Sequence, residues 1–392
     1  MDRQSTAKTG KQSTSQGLHR NLTGVKHIVA VGSGKGGVGK SSVSSNLAVA
    51  LKVLGAEVGL MDADIYGPSQ PGMLGAGEAR PGTMDNQILP ISRHGIRFIS
   101  MGLLMDGNSP VIWRAPMAMK MIQQFIGSVV WGDLDYLLID LPPGTGDVQL
   151  TLAQQARLSG AVIVTTPQDV ALGVTIKGLK MFQQVNVPII GIIENMSGFT
   201  CGHCGEKTAI FKEGGGASMA AEFGVPYLGS IPLDLEIMNC GDDGTPIMEK
   251  SPQSPAAKAF LSVAEKFQQH LERESASGKS IEPTDVEISS NGELTITWTG
   301  GHTGIHSPYN LRRNCVCASC VDEDTGKRVL DERRVPLDIR IDSYTPVGRY
   351  ALAFAFSDRH NTGIYSYKYL RTLCECPECS RERGDKTESF SV

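Results

Sequence analysis

Short, nearly uninterrupted apolar segments alternate with longer stretches of helical periodicity between residues 25 and about 233. Strands that are buried on both faces of a parallel sheet have this continuous apolar character, whereas strands with one solvated face alternate. Six segments fit the first description: KHIVAVGS, VGLMDAD, YLLIDLP, AVIVTTP, PIIGIIEN and PYLGSIP. The helical pattern of residues 253–271 is expected to close the domain. We therefore predict an α/β fold with a mostly parallel, doubly wound sheet over residues 25–271.

The pattern changes after about residue 285. The segments ELTITWTG and ALAFAFSD are alternating or rich in aromatic and β-branched residues, which predicts strands. Further, TGIHSPYNLRRNCVCASC (303–320) aligns without gaps to TGIYSYKYLRTLCECPEC (362–379), with nine of eighteen positions identical. This internal repeat predicts a small β-rich domain over residues 285–380 that contains a duplicated unit.

Polar segments flank and separate the two predicted domains. Residues 1–24 are rich in Ser, Thr, Gln and Lys and have almost nothing to bury, which predicts a disordered tail. We interpret residues 272–284 as a linker and the charged residues 381–392 as a second tail. The basic first tail would also suit a targeting peptide, although it lacks the Arg-rich amphipathic pattern.

The charge balance gives no reason to expect a nucleic-acid or membrane partner. The formal net charge is −4, which provides no overall attraction to polyanions. No apolar run approaches the roughly 18 to 20 residues that span a bilayer. We expect a soluble, cytoplasmic protein.

The segment GSGKGGVGKSS (32–42) points to a nucleotide. It fits G-x-x-x-x-G-K-[ST] and lies between an apolar strand and a helical stretch. Small residues allow backbone N–H groups to surround phosphates, and the helix N-terminus adds its dipole. Lys40 is expected to reach the β- and γ-phosphates of ATP, and the Ser41 hydroxyl to ligate Mg²⁺. The predicted nucleotide-binding residues of this loop are Gly34, Gly36, Gly37, Val38, Gly39, Lys40, Ser41 and Ser42.

An additional lysine, Lys35, makes the loop resemble the deviant Walker A motif of the MinD/ParA/ArsA/nitrogenase-iron-protein class. The resemblance implies that Lys35 reaches across a homodimer to the partner's nucleotide. A cation at that place would stabilise the negative charge that develops during phosphoryl transfer.

Polar residues at strand ends extend this resemblance. In the class, the D-x-D segment is the first switch, which implies that Asp62 lies in the metal shell and that Asp64 positions the attacking water. LLIDLPPGTGD is similar to a Walker B strand followed by the second switch, which implies that Asp140 faces Mg²⁺. Asn195 in IIENMSG matches the position that reads adenine. The implied catalytic residues are thus Lys35, Lys40 and Asp64.

Eight of the nine cysteines fall into three tight groups, which in a reducing compartment favours metal over disulfides. Cys240 stands alone and is expected to be a small buried residue. For the pair Cys201 and Cys204, three interpretations are open: a redox pair, a zinc site, or a site shared across a dimer. Two cysteines from each subunit would supply the four thiolates of a [4Fe-4S] cluster.

Several segments together resemble the Mrp/ApbC family of iron-sulfur cluster carrier ATPases: VGSGKGGVGKS, DADIYGPSQPGMLG, LLIDLPPGTGDVQLTL, VIVTTPQDVAL and ENMSGFTCGHCG. The resemblance covers about 27–250. It implies a homodimer that holds a labile [4Fe-4S] cluster between the paired cysteines, here Cys201 and Cys204. It also implies ATP-linked transfer of the cluster to apo-proteins, and contact with a cluster assembly scaffold.

Two other functions compete with this one. A positioning ATPase like MinD or ParA would carry an amphipathic membrane helix or a basic DNA-binding patch, and neither is visible. A scaffold or metallochaperone with structural nucleotide would show negligible ATP turnover. The sequence does not name the client proteins, nor does it say whether ATP drives cluster loading or release.

The C-terminal segment resembles the small N-terminal domain of gamma-butyrobetaine-hydroxylase-type proteins. The resemblance implies structural zinc held by Cys315, Cys317, Cys320 and His360, a closed Cys₃His set. If the repeat has two-fold symmetry, His302 would come near Cys374, Cys376 and Cys379 and form a second Cys₃His site. A vestigial triplet or a second cluster-binding site are the alternatives.

Overall fold

The structure, a computed structural model, describes most of both predicted domains. The described residues are 20–85, 87–104, 115–144, 146, 149–150, 152, 156, 158–185, 187–200, 204, 206–276, 283–289, 292–299, 301–322, 327–347 and 351–382. Cys201, nearly all of the two predicted tails and the middle of the predicted linker lie outside these residues.

The predicted sheet is present and has eight strands in the order β12-β9-β8-β1-β7-β2-β6-β5. Neighbouring strands are parallel except β5, which pairs antiparallel with β6 at one edge. Its strands are β1 (Val25–Ser33), β2 (Val58–Asp62), β5 (Ile91–Arg93), β6 (Ile96–Ser100), β7 (Leu134–Asp140), β8 (Gly160–Thr165), β9 (Ile189–Glu194) and β12 (Tyr227–Ser230). A separate hairpin joins β3 (Gly82–Met84) to β4 (Gln87–Leu89). All six predicted segments form strands of the large sheet, which confirms the fold class.

The side chains of β1 show why its sequence is continuously apolar. Val29 and Val31 belong to the core on one face of the sheet, and Ile28 and Ala30 to the core on the other. Because both faces are covered, the side chains from Ile28 to Val31 are buried in alternating directions, and all four are apolar. The sequence prediction omitted β6, whose apolar run is interrupted by Arg97.

Helices cover both faces of the sheet. Within the described residues, those with defined bounds are α1 (Lys40–Val53), α2 (Gln70–Met73), α3 (Ala115–Ser128), α4 (Asp169–Gln184), α5 (Gly215–Phe223), α6 (Leu235–Asp242), α7 (Ile247–Lys250) and α8 (Pro255–Ala276). Leu47 of α1 and Phe260 of α8 pack in one core, and Phe125 of α3 and Phe182 of α4 pack in the other. Helix α8 extends to Ala276, five residues into the segment expected to be a linker. Within the described ranges, no helix combines the length and apolar character that a membrane crossing requires.

The C-terminal residues form two similar units. The first has strands β13 (Pro283–Ile288), β14 (Leu294–Trp298) and β15 (Thr303–His306), followed by helix α9 (Pro308–Arg313). The second has β16 (Ile341–Val347), β17 (Ala351–Phe356) and β18 (Gly363–Ser366), followed by α10 (Tyr367–Thr372) and α11 (Pro377–Glu382). Each unit is a three-stranded antiparallel sheet, and one apolar core contains residues of both. Leu294 and Ile296 of the first unit and Phe354 and Tyr365 of the second belong to that core. Because both units have three strands followed by a short helix, the duplication seen in the sequence is also structural.

Candidate functional site

The loop that follows β1 forms a cleft beside the N-terminus of α1. Gly37 and Gly39 have left-handed backbone conformations, with φ of 78° and 77°, which a residue with a side chain rarely adopts. The cleft is lined by Ser33, by the loop residues from Lys35 to Ser42 and, from elsewhere in the chain, by Asp64, Gly67, Ser69, Met73 and Pro143. The structure thus brings the predicted water-positioning Asp64 and all of the predicted phosphate-binding loop residues except Gly34 to one cavity.

Lys40 makes a buried ion pair at the base of this cleft. Its Nζ lies 2.5 Å from Asp140 Oδ1, and the two side chains are 6% and 0% exposed. The same Nζ lies 3.2 Å from Ser41 Oγ. Asp140 also accepts hydrogen bonds from Ser44 Oγ at 2.9 Å and from Gln70 Nε2 at 2.9 Å. A cation therefore already lies between Ser41 and Asp140, two of the three side chains predicted to surround Mg²⁺.

The second buried carboxylate of the site, Asp62, stands beside the first. Asp62 and Asp140 are register partners at the ends of β2 and β7. Burial, followed by the negative charge of Asp140, raises the pKa of Asp62 to about 8. Ser100 Oγ donates to Asp62 Oδ2 at 2.8 Å, and the backbone N–H of Asp64 donates to its other oxygen at 3.1 Å. Burial also raises the pKa of the half-buried Asp64.

These side chains have the chemistry of a magnesium site. Mg²⁺ prefers oxygen ligands, and carboxylates and hydroxyls converge here. Gln70 Oε1 is buried and has no hydrogen-bond partner among the described residues, although its amide nitrogen donates to Asp140. A hydrated divalent cation at this place would satisfy that oxygen and offset the repulsion between the carboxylates of Asp62 and Asp140.

Asn195 connects the end of β9 to the nucleotide loop. Its Nδ2 donates to the backbone carbonyl of Val38 at 2.9 Å, and the residue is 7% exposed. Its assignment to adenine stays a prediction. Lys35 is half-buried and lines the cleft, and its action on a partner's nucleotide likewise stays a prediction.

The segment that carries the paired cysteines is a small hairpin. Strands β10 (Phe199–Thr200) and β11 (Lys207–Thr208) pair antiparallel, and Cys204 lies exposed between them. Cys201 lies outside the described residues. Cys240 is buried, as expected.

Glu194 anchors this hairpin at both ends. The sequence predicted no role for this residue. It is fully buried and accepts hydrogen bonds from Ser197 Oγ at 2.5 Å and from the backbone N–H groups of Gly214 at 3.0 Å and Gly216 at 2.5 Å. Its signal in the sequence is a single acidic residue at the end of the apolar run PIIGIIEN. A buried carboxylate needs several donors, and here the donors belong to the two ends of one loop.

The first cysteine triplet of the C-terminal domain converges on His360. The Nε2 atom lies 3.2, 3.5 and 3.9 Å from the sulfurs of Cys315, Cys317 and Cys320. Tetrahedral zinc with its usual bond lengths separates nitrogen and sulfur ligands by about 3.6 Å. Burial lowers the pKa of His360, which favours the neutral imidazole that binds metal. The residues present therefore fit a zinc ion.

Surrounding side chains hold this group in place. Arg312 Nε donates to Asp358 Oδ2 at 2.7 Å, and Asp358 accepts the backbone N–H of His360 at 3.0 Å. Thr362 Oγ1 lies 3.2 Å from Cys317 Sγ. The structure also brings together the second predicted set, His302 with Cys374, Cys376 and Cys379.

Comparison with known proteins places the chain in a family. Residues 24–268, more than half of the chain, match the family model described as the NUBPL iron-transfer P-loop NTPase. The chain belongs to this ParA/NUBPL family. The iron-sulfur cluster carrier protein of Haemophilus influenzae is 53% identical over 251 residues, 64% of this chain and 68% of that protein. The iron-sulfur protein required for NADH dehydrogenase, mitochondrial, of Arabidopsis thaliana is 46% identical over 262 residues, 67% and 82% of the two chains.

A solved structure and a second family model agree with these matches. A nucleotide-binding protein from Archaeoglobus fulgidus, solved in complex with ADP, is 37% identical with a TM-score of 0.56, and the similarity covers 64% of this chain and 98% of that one. The P-loop fold and the carrier family predicted from the sequence are confirmed. Residues 286–371 match the gamma-butyrobetaine hydroxylase-like N-terminal family, which confirms that resemblance too. This match includes the first triplet and His360 but ends before Cys374.

Proposed function

We propose that this NUBPL-family protein is an ATP-hydrolysing carrier of [4Fe-4S] clusters. Two chains would form a homodimer, and Cys201 and Cys204 of each would hold the cluster between them as cargo. The clients would be cytoplasmic apo-proteins that need a cluster, and an assembly scaffold would supply it. The carrier names of its relatives and the exposed position of Cys204 support the proposal.

The link between the nucleotide loop and the cysteine hairpin is the observation that carries this function. Asn195 donates to Val38 in the loop, and β10 of the hairpin begins four residues later at Phe199. Glu194, directly before Asn195, fixes the far end of the hairpin through Gly214 and Gly216. A change in the loop upon phosphate binding or release would therefore reach the hairpin through two adjacent residues. ATP would control how the dimer holds its cluster.

The nucleotide chemistry would be transfer of the γ-phosphoryl group of ATP to water, giving ADP and phosphate. Bound Mg²⁺ would supply positive charge to the phosphate oxygens. Asp64 would orient the attacking water, and Lys40 would leave Asp140 to bind the β- and γ-phosphates. Lys35 of the partner subunit would add a second cation where negative charge develops. Ser41, Asp62 and Asp140 are the side chains that would hold the metal.

In the C-terminal domain we propose a structural role for metal. Zinc bound to Cys315, Cys317, Cys320 and His360 would stabilise the fold, since small metal-dependent domains gain on the order of 10 kcal/mol from such a site.

Anaerobic cluster reconstitution tests the carrier proposal. Wild type is expected to bind about four irons per dimer with the visible absorption of a [4Fe-4S] cluster. Cys201→Ser/Cys204→Ser should lose both, while Cys240→Ser, a buried cysteine outside the hairpin, should keep both. Four irons in the double variant would place the cluster elsewhere and contradict the proposal.

Transfer to an apo-protein measures the role of ATP. Lys40→Ala and Asp64→Asn should abolish ATP turnover, and transfer should then lose its dependence on ATP. Negligible turnover by wild type, with transfer unaffected in Lys40→Ala, would instead indicate a scaffold with structural nucleotide. A comparison of ATP with a non-hydrolysable analogue shows whether binding or hydrolysis releases the cluster.

A further inference from the structure

The two halves of the C-terminal domain share local structure up to and including their cysteine triplets. In each half, a serine side chain caps the short helix before the triplet: Ser307 Oγ accepts from Asn310 N at 3.2 Å, and Ser366 Oγ accepts from Tyr369 N at 3.1 Å. The sequence identity of the repeat therefore reflects the same fold in both halves. The second triplet occupies the structural position of the first.

The histidines also occupy equivalent turns. His302 lies in the β14–β15 turn, where its carbonyl accepts from Trp298 N at 2.9 Å. His360 lies in the β17–β18 turn, where its carbonyl accepts from Phe356 N at 2.9 Å. The sequence hides this equivalence because Asn361 adds one residue after the second histidine. Each histidine contacts the triplet of the other half, so the ligands are exchanged reciprocally.

A glycine in each half lies beside the first cysteine of the opposite triplet. A Cβ on Gly363 would lie 2.9 Å from Cys315 Sγ, and a Cβ on Gly304 would lie 3.4 Å from Cys374 Sγ. These glycines hold the same position in the TGI segment of the repeat. The approach of strand to thiol is tight at Gly363. At Gly304 the distance to the thiol is an ordinary contact, and a Cβ there would first meet Trp298 Nε1 at 3.0 Å and His306 Nε2 at 3.2 Å.

The distances at the second group suit one tetrahedral ion. His302 Nε2 lies 3.6, 3.8 and 3.6 Å from the sulfurs of Cys374, Cys376 and Cys379, and tetrahedral zinc separates nitrogen and sulfur ligands by about 3.6 Å. All four ligand atoms lie within 4.8 Å of one another. The four ligands of an iron-sulfur cluster are divided among two or four irons, so they cannot all stand this close to one another. The cysteines are at most 9% exposed, so the set is closed to further ligands.

The outer contacts of His302 also match a metal ligand. Its Nδ1 lies 3.5 Å from Glu378 Oε2, on the side of the ring away from the sulfurs. A carboxylate near the second nitrogen favours the tautomer in which Nε2 is free to bind metal. Cys376 Sγ accepts the backbone N–H of Cys379 at 3.4 Å, a contact that stabilises a thiolate.

We propose that His302, Cys374, Cys376 and Cys379 bind a second zinc ion, and that the two zinc ions crosslink the halves of the domain reciprocally. Each ion joins three thiolates of one half to the histidine of the other. Thiolate and imidazole ligands in a closed tetrahedral set select zinc over harder cations. The proposal does not depend on the carrier function of the first domain.

Metal analysis of the full-length protein tests this assignment. In a Cys201→Ser/Cys204→Ser background, which removes the hairpin thiols, two zinc ions per chain are expected by elemental analysis. One zinc ion per chain should remain in each of the variants Cys374→Ser, His302→Ala and Cys315→Ser. Two zinc ions should remain in the control variant Cys240→Ser. One zinc per chain that persists in Cys374→Ser and disappears in Cys315→Ser would overturn the proposal, as would iron and sulfide in place of the second zinc.

A measurement on the unmutated chain covers the case in which a triplet variant does not fold. Alkylation of native, zinc-loaded protein is followed by mass spectrometry, with and without a zinc chelator. The thiols of Cys374, Cys376 and Cys379 should react only after chelation, while Cys240 is protected by burial alone and should not respond. Chelator-independent labelling of the second triplet, with the first triplet responding, would show that no metal is bound there.

Discussion

Replacing Lys40 by methionine tests the buried ion pair at the base of the nucleotide cleft. Methionine has nearly the length of lysine, so the substitution removes the charge and leaves little space. Asp140 would keep its hydrogen bonds from Ser44 and Gln70 but would lose its only cationic partner among the described residues. Removing one member of a buried pair costs about 3–5 kcal/mol, because the other charge stays buried without compensation. We expect a loss of this size for protein without nucleotide.

The double variant Lys40→Met/Asp140→Asn separates the effect of the uncompensated Asp140 charge from the effect of lost packing. The amide is neutral and can still accept from Ser44, so the double variant should be more stable than the sum of the single effects by about 2–3 kcal/mol. Adding Mg²⁺ should stabilise Lys40→Met more than wild type, because the divalent ion can take the place of the ammonium group beside Asp140. Lys35→Met is the matched control, since Lys35 is half-buried and forms no ion pair with a described residue.

Urea unfolding at constant zinc, followed by far-UV circular dichroism, measures these differences. The long helices that the structure describes all lie between residues 40 and 276, so the helical signal reports on the first domain. A loss below about 1 kcal/mol in Lys40→Met would refute the reasoning. Additive losses in the double variant would do the same, because independent groups add and coupled charges do not.

Three further substitutions test other parts of the structure. Burial raises the pKa of Asp62 to about 8, so the folded protein holds a proton that the unfolded chain releases near pH 4. Binding of this proton stabilises the folded state, and the stabilisation is lost as the pH rises towards 8. The free energy of unfolding of Asp62→Asn should therefore rise relative to that of wild type by up to about 1.4 kcal/mol per pH unit between pH 5 and 8. Equal pH slopes of the two proteins in urea unfolding would contradict this. Gly363→Ala places a methyl group 2.9 Å from Cys315 Sγ, and this overpacking should destabilise the zinc-bound domain by about 1–3 kcal/mol. The variant should then lose zinc to a chelator more readily than wild type. Unchanged zinc retention would argue against the tight contact. Glu194→Gln replaces one acceptor oxygen by an NH₂ group, so the buried donors on that side lose their acceptor, which destabilises the fold by about 1–3 kcal/mol. Hydrogen exchange of residues 197–214 should become faster while helix α1 stays protected. Uniform exchange rates would show that the carboxylate does not anchor the hairpin.

Much of the first domain could be predicted because its signals are local. Each buried strand is a short apolar run, and the phosphate loop is set by adjacent glycines between a strand and a helix. The position of Ser41 and Lys40 at the start of α1 follows from that order alone. Strand β6 escaped prediction because Arg97 interrupts its apolar run, and its guanidinium donates to the backbone carbonyl of Asp133 at 3.0 Å.

The pairing of distant charges depended on the tertiary structure. Asp62 and Asp140 are far apart in sequence and meet because β2 and β7 are neighbours in register. Burial at this edge of the sheet, and after it the charge of Asp140, raises the pKa of Asp62. The same sheet edge brings Asp140 to Lys40. The role of Glu194 likewise could not be predicted from the sequence, because two of its hydrogen-bond donors, Gly214 and Gly216, come close to it only where the chain returns after the cysteine hairpin.

The C-terminal domain shows the same division. The sequence by itself determined the family, the α/β fold, the nucleotide loop, and a repeated unit with two cysteine triplets, because all of these are carried by residues close together along the chain. Only the tertiary structure decided which histidine meets which triplet. Three thiols of one triplet are fixed by local spacing, but the fourth ligand must come from wherever the opposite half places its turn, and that is set by how the two halves pack around their common core.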